Sequence, residues 1–275
     1  MRGLFMTIAL SVIISSDLYS QSGSDSSYYT KAFEYFDRGE YEKAGDFFSL
    51  SIKEGYKTMK SYMFRGVSEL LRDRMAEAAS DLHVAMKMDP SNSDVNFYTG
   101  RLYFFRKQYD SAIRFCRKAV LLDSTDADYF DGLAMSYLGV NRYNLALNNA
   151  DRAIRLTPAN VTYINNRGII KETMGMYNEA IEDFKKGLEL SPYDNTEMAN
   201  IAFCLYNLKK FDDALAICNQ VIGKDAKMPL ALLVRGQIYH ALGSNEKSCT
   251  DFRNLSLLGG EYGRQGAEYS RKYCK

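Results

Sequence analysis

The sequence predicts an all-α chain of seven stacked helical hairpins, an α-solenoid, on three observations. One pattern of small and apolar residues recurs every 34 residues along the 275-residue chain. Within each recurrence the apolar residues fall three and four apart, the spacing of one helix face. Four prolines against 21 tyrosines and 15 phenylalanines suit long helices packed through aromatic rings. Strands are disfavoured, because alternating runs rich in Val, Ile and Thr and Asn-Gly hairpin turns are absent. A hydrophobic share of 46% excludes a collagenous or disordered chain. With 35 basic and 34 acidic residues the net charge is +1, so there is no nucleic-acid footprint and no polybasic membrane patch.

The chain opens differently. Arg2 precedes an apolar run, Leu4 to Ile14, broken only by Thr7 and Ser11. At about 11 residues the run is short of the roughly 20 that a membrane span needs. Small polar residues follow, from Ser15 to Gln21. Charge, short apolar core and small residues in that order predict a secretory signal peptide over residues 1–20. Cleavage is expected after Ser20; a cut after Ser16 is the alternative, since Leu18 is large for its place. The competing reading is an N-terminal helix of the fold. No Cys follows the run, so lipid attachment is not expected. The expectation is an exported chain, periplasmic or secreted, with no membrane span once the leader is removed. Residues 21–27 are polar, rich in Ser and Gly, and expected to be flexible.

The repeat then begins. Ala32, Gly66, Gly100, Ala134, Gly168, Ala202 and Gly236 stand 34 apart without insertion. Twelve residues after each come Ala44, Ala78, Ala112, Ala146, Ala180, Ala214 and Ser248. The units are 25–58, 59–92, 93–126, 127–160, 161–194, 195–228 and 229–262. Within a unit numbered 1 to 34, positions 1, 4, 8 and 11 form one helical stripe. Positions 17, 20, 24, 27 and 28 form another. Gly or polar residues fall at 13 to 16, and Pro90, Pro158 and Pro192 share a late position where a helix must end. Each unit is therefore a hairpin whose small residues at 8 and 20 let its helices approach closely. One hairpin cannot bury its apolar stripe, so neighbours stack. Residues 263–275 are read as a capping helix, with Ser270 and Tyr273 at positions 8 and 11 of an incomplete eighth unit.

Through Phe130, Leu133, Ala134, Tyr137, Tyr143, Ala146, Ala153 and Pro158 of the fourth unit, the pattern resembles the tetratricopeptide repeat. The resemblance spans residues 25–262. It implies a right-handed superhelix whose first helices line a concave groove, and a chain that binds proteins. Glu69 and Lys171 at position 11 depart from the family pattern, as do Asn245 and Ser248 in the last unit.

Catalytic constellations are missing. The two histidines, His83 and His240, lie in different units, and no Cys-x-x-Cys, His-Glu-x-x-His or phosphate-cradling Gly-x-x-x-x-Gly-Lys occurs. No enzyme activity, cofactor or metal is expected. Acidic pairs such as Asp212-Asp213 read as solvated helix N-termini.

Two covalent or ionic devices are expected instead. Position 7 is Arg65, Arg167 and Arg235 in units two, five and seven, and position 23 is Asp81, Asp183 and Asp251 in the same three units. The other four units have neither residue there. In a hairpin turning near position 15 these positions lie level, which predicts three Arg–Asp salt bridges between paired helices. Among five cysteines, Cys116 and Cys218 sit at core position 24, and Cys204 is out of axial register with Cys218. Cys249 and Cys274 lie level across the last turn, which predicts a disulfide clamping the cap.

By the resemblance, positions 5, 9 and 12 of each first helix face the groove. In units one to three these are Tyr29, Phe33, Phe36, Met63, Val67, Leu70, Phe97, Arg101 and Phe104. All but Arg101 are apolar or aromatic, so an exposed apolar patch is expected there. Units four and five read Asp131, Met135, Leu138, Asn165, Ile169 and Glu172, a mixed set. Tyr29 and Phe33 stand at the first two places where chaperone-binding relatives grip a peptide carboxylate with Lys and Asn, so that clamp is not expected. The expected function is non-catalytic binding of a protein or peptide segment in the cell envelope, with Arg101 meeting an acidic residue. The alternatives are position-12 aromatics that merely pack on the next helix, and a scaffold that assembles larger complexes through its outer faces or ends.

Overall fold

The computed structural model describes residues 27–192 and 194–274. The leader reading over 1–20 and the segment 21–26 lie outside the described residues. Ser27, placed at the end of the flexible segment, is instead the first residue of a helix.

The described residues form fifteen helices. The first helices of the hairpins are α1 (Ser27–Asp37), α3 (Met59–Leu71), α5 (Ser93–Phe105), α7 (Ala127–Gly139), α9 (Val161–Thr173), α11 (Asn195–Asn207) and α13 (Pro229–Ala241). The second helices are α2 (Tyr41–Lys53), α4 (Met75–Met88), α6 (Tyr109–Leu122), α8 (Tyr143–Leu156), α10 (Tyr177–Leu190), α12 (Phe211–Lys224) and α14 (Asn245–Ser256). From α3 to α13 every first helix starts at position 1 of its unit, and every second helix starts at position 17. The last helix, α15, runs Gly260–Tyr273 and starts three residues earlier than the expected cap at 263. The reason is local. α14 ends two residues short of the preceding second helices, and Gly259 (φ 74°) and Gly260 (φ 60°) turn the chain through the left-handed region.

Repeating boundaries have repeating causes. Position 34 caps the next helix: the side chains of Thr58, Asn92, Asp126, Asn160 and Asp194 each accept a backbone N–H from the first turn. Before α13 the cap is Met228, and Pro229 at the first helical position needs no partner for a missing N–H. Every turn within a hairpin places position 15 at positive φ, with Gly39, Asp73, Lys107, Asn141, Gly175, Lys209 and Gly243. Four of these carry a side chain in a region that L-residues disfavour, so turn closure outweighs a local cost of about 1 kcal/mol at each.

The chain divides into two compact units, one ending at Pro158 and one starting at Ala159. The first holds α1 to α8, with α2 packed on α3, α4 on α5 and α6 on α7. The second holds α9 to α15, with α10 packed on α11, α12 on α13 and α14 on α15. Each is a stack of helical hairpins, a segment of α-solenoid. Position 24 is the centre of every hairpin: Phe48, Leu82, Cys116, Ala150, Phe184, Cys218 and Phe252 are all buried. In units five and seven position 8 leaves room for its ring. A Cβ on Gly168 would stand 2.7 Å from the Phe184 ring, and one on Gly236 would stand 2.6 Å from the Phe252 ring. Ala134 faces the small Ala150 across the same gap.

Candidate functional site

Three ion pairs lock hairpins internally. Arg65 donates from Nε and Nη2 to Asp81 at 2.7 Å each. Arg167 does so to Asp183 at 2.9 and 2.5 Å, and Arg235 to Asp251 at 2.9 and 2.7 Å. The carboxylates are buried and the guanidinium groups mostly so, which is the geometry of a bidentate, charge-assisted pair. Both departures at position 11 form ion pairs, and Lys171 joins one of these three. Lys171 adds a contact to Asp183 at 2.7 Å, and Glu69 receives Arg72 at 3.2 Å. Cys249 and Cys274 are bonded, with Cα atoms 5.5 Å apart. Cys116, Cys204 and Cys218 are free and buried, and burial pushes the thiols of Cys116 and Cys218 up to about 12.

The expected exposed patch in units one to three is corrected by the structure. Phe33, Phe36, Met63, Val67, Leu70, Phe97, Arg101 and Asp131 are buried; only Tyr29 and Phe104 are half-open. Large rings at these positions enter the seams between helices instead of lining a groove. Phe33 packs edge-on against Phe48 at 5.2 Å and Phe64 at 4.7 Å. Phe97 lies 5.1 Å from Tyr129, in space left by Gly132, where a Cβ would come within 2.8 Å of the ring. Arg101 is 8% exposed and sits 5.7 Å from the rings of Phe97 and Phe105. Burial lowers its pKa, while Asp128 and Asp131 act the other way, so it meets acids of this chain. Its Nε and Nη2 have no hydrogen-bond partner.

The second unit keeps the same stripe more open. Asn165, Ile169 and Glu172 on α9, Phe203 and Tyr206 on α11, and Gln237 and His240 on α13 are all half-buried. α11 and α13 are in direct contact, so the last four form one strip. Phe203, Tyr206, Gln237 and His240 occupy positions 9 and 12 of units six and seven. Carrying the stripe count past unit five is the sequence signal that finds them. α15 borders the strip: Gln237 Nε2 donates to the Tyr269 hydroxyl at 3.0 Å, and the His240 and Tyr273 rings lie 4.0 Å apart. Lys209 stands 5.6 Å from the Tyr206 ring.

Below the α9 end of this stripe is a buried acid. Glu197 is buried in the first turn of α11 and accepts from the Asn165 side-chain amide. Burial, and then the adjacent Asp194 carboxyl, raise its pKa to about 8, and Asp194 is lowered in turn. Glu197 Oε2 faces no donor of the chain, so near neutral pH it carries the proton and gives it to Asp194. Among the described residues no group of His, Cys, Asp or Glu could hold a metal ion. No described helix is long and apolar enough to cross a membrane.

Known proteins share the repeat and the fold. A family model described as tetratricopeptide repeat matches residues 100–126 and 161–194. The chain is 29% identical over 111 residues to the protein CTR9 homolog of Arabidopsis thaliana, covering 39% of this chain and 10% of that protein. It is 26% identical over 103 residues to Hsp70-Hsp90 organizing protein 1 of Glycine max, covering 38% of this chain and 18% of that protein. In both cases the chain spans less than a fifth of the relative's length. A solved tetratricopeptide repeat protein from Parabacteroides merdae superposes with a TM-score of 0.72 at 15% identity, covering 90% of this chain and 98% of that one. The chain thus contains tetratricopeptide repeats, matched at residues 100–126 and 161–194, within hairpin stacks that share the fold of a solved tetratricopeptide repeat protein.

Proposed function

We propose that this chain is a non-catalytic binding protein that holds a segment of another protein along the α11–α13 strip of its second unit. One observation carries the reading. Phe203, Tyr206, Gln237 and His240 present two aromatic anchors and two hydrogen-bonding side chains on adjoining helices, all half-open, whereas the equivalent residues of units two and three are largely buried. Half-open aromatic rings beside polar groups are the composition of binding hot spots. The name of the Glycine max relative, an Hsp70-Hsp90 organizing protein, supports a role in bringing proteins together. The N-terminal charge and apolar run support export to the cell envelope.

Panning a displayed peptide library on the full chain tests it. Selected peptides should bind Tyr206→Ala at least tenfold more weakly, with the melting temperature nearly kept, and should bind Phe104→Ala unchanged. Peptides indifferent to Tyr206 overturn the reading.

A second reading rests on the outer surface. Leu121 and Leu257, both at position 29, are 82% exposed, and Met88, Leu122 and Leu190 at position 30 are exposed as well. Apolar residues recurring at the carboxy-terminal ends of the second helices favour a scaffold that assembles through its outer faces.

A further inference from the structure

α15 is held by its disulfide and by half-buried tyrosines, with no fully buried side chain of its own. Its buried residues are Gly263 and Gly266, neither of which has a side chain to pack. Arg264, Glu268, Arg271 and Lys272 are exposed. Gly266 lets the backbone ride directly on α14, since a Cβ there would stand 2.5 Å from Ser256 N and 2.9 Å from Phe252 O. The remaining grip is aromatic: Tyr262 packs against the Leu255 cluster, Tyr269 stacks on Phe252 at 4.9 Å, and Tyr273 lies over His240.

The seam under α15 is also imperfectly matched. Gln237 Oε1 and His240 Nδ1 on α13, and Ser270 Oγ on α15, are buried without a hydrogen-bond partner. Each regains its hydrogen bonds when water enters, so these groups favour an open state. Against the tyrosine contacts and the Gln237–Tyr269 hydrogen bond these atoms weaken closure, and a cross-link that limits how far α15 can move restores it. Cys249 supplies it from the buried face of α14, and Cys274 from the residue just beyond α15. The two glycines at the α14–α15 turn, both at positive φ, form the other end of the lever.

We propose that α15 is a redox-latched cap, fastened by the Cys249–Cys274 disulfide over the Gln237–His240 end of the binding strip and freed by a dithiol reductant. The latch follows from α15 alone; its consequence for binding rests on the strip reading above. The chemistry is thiol–disulfide exchange. A thiolate of the reductant attacks Sγ of the half-buried Cys274, forming a mixed disulfide and releasing Cys249 as a thiolate, which takes up a proton. The second thiol of the reductant attacks its own mixed sulfur and releases Cys274. Two electrons and two protons pass to the cysteines, and the dithiol leaves as a disulfide. Tyr269 and Tyr273 can then lift away, and Gln237 and His240 become available to a partner's backbone groups.

Hydrogen exchange on the full chain tests the latch, comparing the oxidised protein, the protein in dithiothreitol, and Cys274→Ser. Amides of residues 260–274 should exchange at least tenfold faster in the last two, with α9 to α12 unchanged. Equal protection of α15 in all three overturns the latch, as do five free thiols on the oxidised preparation. Peptides selected by display are then titrated into both redox forms. An affinity change of threefold or more on reduction supports control of the strip. Faster exchange with unchanged affinity overturns that control while leaving the strip reading intact. Peptides that bind neither form overturn the strip reading, and exchange still decides the latch.

Discussion

At the scale of single residues, the chain places charge inside its hairpins in two ways. Arg65, Arg167 and Arg235 meet buried aspartates through both guanidinium donors of one edge, so each charge is offset where it is buried. Glu197 is handled differently, by retaining its proton. Its folded pKa of about 8 lies above the usual 4.5, so between those values the folded chain binds a proton that the unfolded chain has lost. The stabilising contribution is complete below about pH 4.5, is lost as pH rises, and is gone above about 8. The lowered Asp194 acts in the opposite sense, but its window lies below the usual 3.8 and does not overlap. Glu197→Gln keeps an acceptor for Asn165 and a donor for Asp194 without a titrating proton. The variant is expected to match the parent near pH 5 and to exceed its stability at pH 9 by roughly 3 kcal/mol, discounted from the full shift because water reaches the pair. Urea melts at the two pH values check this; an equal slope with pH in parent and variant is the contrary result.

At the scale of the element, the hairpin is a matched pair of sizes. In units five and seven a glycine at position 8 lies against the phenylalanine at position 24, and a methyl group at Gly168 would press on the rigid Phe184 ring edge at 2.7 Å, although unit one seats Phe48 beside Ala32. Gly168→Ala gains helix propensity of about 1 kcal/mol but forces the α9–α10 pair apart. A net loss of about 1–2 kcal/mol is expected, and Gly168→Ala with Phe184→Leu should recover most of it. Thermal melts of both variants test the coupling; additive losses would place the glycine's role elsewhere. The same pairing logic explains the groove correction. Periodicity locates a stripe on a helix, but whether a ring on it enters a seam depends on the residue opposite. Gly132, which admits Phe97, lies in the next unit and belongs to a different stripe.

At the scale of the molecule, two hairpin stacks present unlike surfaces. The amino-terminal stack buries Phe33, Phe36 and Phe97 of its first-helix stripe, and the carboxy-terminal stack leaves an aromatic and polar strip half-open beside α15. The recurrence of exposed apolar residues at positions 29 and 30 bears on assembly. If the outer face drives association, light scattering should show mass rising with concentration, and Leu121→Glu should reduce it. A mass that stays monomeric at all concentrations removes the scaffold reading.

The sequence by itself determined the fold class, the register and the partners of the ion pairs. A strict 34-residue period makes each hairpin predict the next, and level positions on antiparallel helices follow from helix geometry. The Cys249–Cys274 spacing was legible for the same reason. The N-caps at position 34 and the left-handed residue at position 15 were present in the sequence too, as Asn, Asp and Thr before α3, α5, α7, α9 and α11 and as polar residues or Gly in each turn. Only the tertiary structure decided which stripe residues are open. Phe33 and Arg101 are buried because neighbouring helices leave room for them, while Phe203 remains half-open at the same position; Phe36 and Leu70 are buried where Tyr206 is half-open. Exposure belongs to the pair of surfaces in contact and not to either helix alone. For the same reason the raised pKa of Glu197 required three elements, α9, the turn at Asp194 and α11, to converge on one carboxyl group.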